Sequence, residues 1–126
     1  MIIVDTSALI AIVLGEQDAD RCMDVLESEP DLAISAGTVA EALIVAGRRN
    51  VGREVASLID GLGFKIIALT PLRAKQVAEA YDRWGKGIHP AGLNLGDCFA
   101  YALAHENGCP LLFVGEDFAK TDLAAA

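Results

Sequence analysis

The chain has 126 residues, 53% of them hydrophobic, and a formal charge of −8. That composition excludes a disordered chain, supplies a core for one domain and leaves little room for a second. No apolar run reaches the roughly 18 residues a membrane-spanning helix needs, and no basic segment precedes the apolar N-terminus, so a cytoplasmic protein without a signal peptide is expected.

The predicted elements alternate between strand and helix. Ile2–Val4 is a short β-branched strand ending at Asp5. A helix follows through Ala8–Leu14, and a second, amphipathic one runs from about Glu16 to Ser28, where Pro30 stops it. Leu32–Ile34 reads as the next strand, followed by helices over Val39–Arg49 and Gly52–Ile59. Lys65–Leu69 is a strand, and Thr70-Pro71 supplies the cap and first-turn proline of a helix through Tyr81. Gly85–Gly92 is a glycine-rich loop; Asn94 caps a helix to about Glu106, and Leu111–Val114 is a last buried strand. The tail from Glu116 adds about one helical turn. The order βααβααβααβ predicts a single α/β domain with a mainly parallel sheet of four to five strands flanked by helices.

Ligands of open parallel sheets gather at the carboxyl ends of the strands, and acids fall there repeatedly. Asp5 follows the first strand, Glu41 lies early in the helix after the second, Asp97 lies three residues past Asn94, and Glu116 and Asp117 follow the last strand. Each has a capping alternative: Asp5 ahead of Thr6-Ser7, Glu41 in the capping box Thr38-Val39-Ala40-Glu41, Asp97 in the similar Asn94-Leu95-Gly96-Asp97, and Asp117 as the start of a turn. Jointly they point elsewhere. Glu41 and Asp97 begin strongly apolar helices, and carboxylates half-buried together need a cation to remain charged. Oxygen ligands without imidazole favour Mg²⁺, with Mn²⁺ as a substitute, and such a site suits phosphodiester hydrolysis.

The net negative charge is unusual for a protein that handles nucleic acid. Bound cations offset part of it, and basic residues cluster locally at Arg48, Arg49 and Arg53 and at Arg83 and Lys86. An acidic surface also suits a basic protein partner. Cys22, Cys98 and Cys109 lack metal-site spacing and read as ordinary core residues. His89 beside Pro90 reads as a turn residue, and Trp84 and Tyr81 as core or dimer surface.

Val4-Asp5-Thr6-Ser7-Ala8-Leu9, Thr38-Val39-Ala40-Glu41-Ala42, Asn94-Leu95-Gly96-Asp97-Cys98-Phe99-Ala100-Tyr101-Ala102 and Gly115-Glu116-Asp117-Phe118 resemble, in order, the successive blocks of PIN-domain ribonucleases. Among these the likeness is to VapC toxins of bacterial toxin–antitoxin pairs, and it covers essentially the whole chain. The resemblance implies that Asp5 and Asp97 are the principal metal ligands, that Glu41 binds the ion directly or through water, and that Asp117 is the fourth acid, with Glu116 the competitor. It assigns Thr6 and Ser7 a supporting role through hydroxyl hydrogen bonds to Asp5 or a ligand water. It further implies metal-dependent endonucleolytic cleavage of RNA, inhibition by a cognate VapB-like antitoxin, and a homodimer that assembles further with it. Two rivals differ in class. A phosphoaspartate enzyme needs an aspartate where Ser7 stands, and a receiver needs one after the strand ending at Leu69, where Thr70-Pro71 stands. A PIN-like protein-binding module without activity is separated by testing RNA cleavage.

Overall fold

The structure, a computed structural model, describes residues 1–126. Four parallel strands, β1 (Ile2–Val4), β2 (Leu32–Ser35), β3 (Lys65–Ile67) and β4 (Leu111–Leu112), form one sheet in the order β3-β2-β1-β4. Between them run α1 (Thr6–Leu14), α2 (Ala19–Ser28), α3 (Ala36–Arg48), α4 (Gly52–Gly61), α5 (Pro71–Trp84) and α6 (Leu95–Asn107), and a single 3₁₀ turn covers Phe118–Lys120. The alternation read from the sequence is therefore the observed one.

Strands β1, β2 and β4 are apolar on both faces because both are covered, whereas the edge strand β3 leaves Lys65 and Ile66 exposed. Ile3, Ala33 and Leu111 face one core, built with α5 and α6 around Val77, Trp84, Tyr101 and Leu103. Their neighbours Val4, Ile34 and Leu112 face the other, built with α1 to α4 around Leu9, Leu26, Ala42 and Val55. Three layers result, and only at the carboxyl end of the sheet do α3 and α6, from opposite layers, touch directly. Cys22 and Cys98 are buried in these cores and Cys109 is half-buried. No helix is long and apolar enough to cross a membrane.

Several boundaries move, each for a local reason. Strand β3 stops at Ile67 rather than Leu69 because its partner β2 turns into α3 after Ser35. The last strand stops at Leu112 rather than Val114: the Val114 amide donates to Ser7 Oγ instead of a neighbouring strand. Helix α3 begins three residues earlier than expected because Ser35, not Thr38, is its cap, accepting from the Gly37 amide. Helix α2 begins at Ala19, since Gly15 closes α1 in the left-handed conformation and Glu16 to Asp18 form the turn between them.

Two helical glycines, Gly47 and Gly61, have no structural use. Gly47, in the last turn of α3, has open space where a Cβ would stand and no positive φ. Gly47→Ala is therefore expected to stabilise the fold by about 0.5 kcal/mol, through the entropy glycine loses on folding. Urea unfolding measures it, and a destabilised variant contradicts it.

Candidate active site

Strand β1 lies between β2 and β4, so the chain crosses from one side of it to the other after β3, and the crevice opens at the carboxyl end of β1. Asp5 stands there, only 3% exposed. Its backbone N–H donates to Leu112 O at 3.0 Å, which continues the β1–β4 ladder by one residue. Asp5 caps α1: Oδ2 accepts from the Ser7 amide at 3.0 Å and from Ser7 Oγ at 2.6 Å. Ser7 Oγ also accepts from the Val114 amide at 3.0 Å, tying the exit of β4 to the same carboxylate. The other oxygen, Asp5 Oδ1, is buried and has no hydrogen-bond partner.

Burial pushes the Asp5 carboxyl up to about 7, opposed by the two Ser7 bonds and reinforced by the nearby charges of Asp97 and Glu41. Asp97 is likewise raised, by burial first and then by Glu41 and Asp117, while its bond from the Asn94 amide works against the rise. Four acids from four separate segments thus act on one another electrostatically. Three of them, Asp5, Glu41 and Asp97, share a cavity of about 280 Å³ that Thr6 and Ser7 also line, with Ile10, Val45 and Val114 as its apolar wall.

The capping alternatives separate cleanly. Asp97 does close a capping box: its Oδ2 accepts from the Asn94 amide at 3.0 Å while Asn94 Oδ1 accepts from the Asp97 amide at 2.8 Å. Glu41 closes none. With the helix starting at Ala36, Glu41 sits in the second turn, not the first, and its Oε1 accepts from Thr6 Oγ1 at 2.5 Å. Thr6 therefore supports Glu41 and Ser7 supports Asp5, a division that the sequence leaves open. Thr38 is fully buried inside α3 instead of capping it.

At the rim, Asp117 is exposed and close enough to Asp97 to raise its pKa, whereas Glu116 is not among the acids that do so. Asp117 does not line the cavity itself. Glu16 does, and sequence reasoning placed it instead at the start of the second helix. Gly15 marks a helix stop in the sequence, but nothing there says that the chain beyond it turns the next side chain to the pocket. The other weak candidates lie outside. His89 Nδ1 accepts from the Ala91 amide within its loop, and Trp84 is a core residue with Arg83 over its ring. Tyr81 is 37% exposed, on a groove it shares with Lys86 and Leu95.

No three acidic, histidine or cysteine side chains already surround a common point. A hard cation is nonetheless compatible with the donors. All are oxygen, one buried carboxylate oxygen is unpartnered, and Mg²⁺ commonly takes one or two carboxylates and keeps several waters.

An acidic cavity at the crossover point of a four-stranded parallel sheet, enclosed by helices on both faces, defines the class. The chain belongs to the PIN-domain family, whose model matches residues 2–123. It is 43% identical to the ribonuclease VapC42 of Mycobacterium tuberculosis, over 98% of both chains, and 41% identical to a VapC ribonuclease of Mycolicibacterium smegmatis with the same coverage. In fold it matches the crystal structure of M. tuberculosis VapC20, described as a toxin that cleaves the sarcin–ricin loop, with a TM-score of 0.81 at 17% identity over 100% of this chain and 98% of that one. A toxin–antitoxin complex from Klebsiella pneumoniae matches with a TM-score of 0.75 at 20% identity, over 100% and 97%.

Proposed function

We propose that this protein is a divalent-cation-dependent endoribonuclease, the toxin of a toxin–antitoxin pair, with Asp5, Asp97, Glu41 and Asp117 as its acidic set. The observation that carries the reading is the buried, unpartnered Oδ1 of Asp5 in a cavity whose other polar donors are carboxylate and hydroxyl oxygens. At 3% exposure an ionised Asp5 is costly, so the group takes up a proton at a raised pKa unless a cation meets it and keeps it charged. The names of relatives at 40–43% identity supply the substrate class.

A bound Mg²⁺ or Mn²⁺ lowers the pKa of an attacking water and stabilises charge developing on the phosphate. The residues prepare for that. Ser7 holds Asp5 by two donors on one oxygen and leaves the other free; Thr6 orients Glu41; the start of α6 holds Asp97. Asp117, exposed at the rim, adds negative charge where the pocket meets solvent.

A cognate VapB-like antitoxin and a homodimer complete the proposal. Beside the acidic cavity, and sharing Glu41 and Val45 with it, runs an apolar hollow lined by Ile44, Leu69, Leu95 and Phe99. Ile44 is 60% exposed and Leu95 62%, an uncovered apolar patch of the kind that protein interfaces use.

Purified protein is expected to cut RNA with Mg²⁺ or Mn²⁺ and to stop when a chelator is added. If the metal-loaded wild type leaves RNA intact, the nuclease reading fails and the protein-binding module without activity takes its place.

A further inference from the structure

Gly96 stands at the second position of α6, one residue before Asp97, and is buried. Its φ is not positive, so the backbone there suits any residue. Glycine in a helix otherwise carries an entropic cost. The reason for it is space. A Cβ on Gly96 would overlap Oε2 and Cδ of Glu41 and stand 2.7 Å from Oε1. The Glu41 carboxylate, held from its other side by the Thr6 hydroxyl, occupies the volume that a side chain would fill.

A second contact mirrors the first. A Cβ on Gly37 of α3 would stand 2.6 Å from the ring of Phe99 on α6. Each helix thus offers a glycine to a side chain of the other, Gly37 to Phe99 and Gly96 to Glu41, where the two layers meet beyond the strand ends.

We propose that Gly96 is a positioning residue of the acidic site: its missing side chain is the seat of the Glu41 carboxylate, and together with Thr6 it places Glu41 against Asp97. The inference rests on the metallonuclease reading above. It concerns a residue outside the acidic set, and acts through Glu41 alone. What an alanine would strike is the far end of a flexible side chain and not backbone, so the fold can absorb the exchange while the carboxylate cannot keep its place.

Three variants test this. Gly96→Ala is expected to melt no lower than the wild type by more than a few degrees, while its Mn²⁺ affinity, measured by calorimetry, falls about tenfold or more. Gly47→Ala, the same exchange at an open position of α3, leaves that affinity unchanged. In a Glu41→Ala background, Gly96→Ala is expected to cost no further affinity, because the group it displaces is already gone; losses that multiply instead reveal general damage to α6 and overturn the proposal. An unchanged affinity in Gly96→Ala overturns it too. A crystal structure of the metal-free Gly96→Ala protein supplies a readout independent of the ion: the Thr6–Glu41 hydrogen bond is expected to be broken. If the wild type takes up no Mn²⁺ the metallonuclease reading fails, and Glu41 still bonded to Thr6 in that crystal structure overturns the steric part.

Discussion

Asp5→Asn is expected to abolish RNA cleavage while removing the pH dependence that Asp5 imposes on stability. On the proposed reading a metal ion at the scissile phosphate is worth several kcal/mol of barrier, so loss of Asp5 as a ligand lowers the rate by about 10²–10⁴-fold. The stability effect follows from burial. In the metal-free fold the Asp5 carboxyl is raised from 3.8 to about 7. Between those values the folded state holds a proton that the unfolded chain has released. The stability contributed is thus full below about pH 4 and is lost as pH rises through about 7. At about 1.4 kcal/mol per pH unit the ceiling is about 4 kcal/mol; relaxation and water entry bring the expected loss between pH 5 and pH 8 to about 1–3 kcal/mol.

Asn cannot ionise, so the variant lacks that slope. Its amide N–H stands where the neutral acid of the wild type carries its own unmet O–H, so at pH 5 the two proteins are of similar stability, and at pH 8, where the wild type buries a charge, the variant is the more stable. Asp97, also raised, tilts both proteins in the same direction and largely cancels in the comparison. Adding Mn²⁺ at pH 8 is expected to restabilise the wild type and not the variant. Urea unfolding at both pH values reads all of this, and parallel pH profiles for the two proteins contradict it.

The element order was legible because this chain marks its boundaries with local chemistry. Pro30, Thr70-Pro71 and the Asn94 box each act within a few residues. Ser35 was harder: its cap role depends on β2 extending one residue past the apolar run to pair with Ile67, which is a tertiary fact. That shift by three residues is what turns Glu41 from a capping residue into a pocket residue. The places of Asp5 and Asp97 in one cavity were legible from the end of β1 and from the Asn94 box that starts α6. The pairing of Thr6 with Glu41, the entry of Glu16 into the cavity and the seat at Gly96 were not, since each depends on how helices from opposite layers approach one another. Nor was the closure of the β4 edge, where Leu111 exchanges hydrogen bonds with the backbone of Ala124 and Ala126.

Asp97 closes a helix cap and, on the proposed reading, also holds the metal, and substitutions can divide the two roles. Its Oδ2 accepts from the Asn94 amide, which starts α6, and its charge belongs to the acidic set. Asp97→Asn keeps a side-chain oxygen for the Asn94 amide and removes the charge. It is expected to fold with stability within about 0.5 kcal/mol of the wild type, since an amide oxygen still caps the helix, while Mn²⁺ affinity falls at least about tenfold and RNA cleavage with it. Asp97→Ala loses the cap as well and is expected to be less stable by about 1 kcal/mol, with cleavage no lower than in the Asn variant. The pair is informative because cap and ligand make opposite demands. A residue that is only a cap gives an active Asn variant and a weakened Ala variant; a residue that is also a ligand gives two inactive proteins of different stability. Calorimetry of Asp97→Asn decides between them, and Mn²⁺ binding at wild-type strength takes Asp97 out of the metal site and leaves it a helix cap.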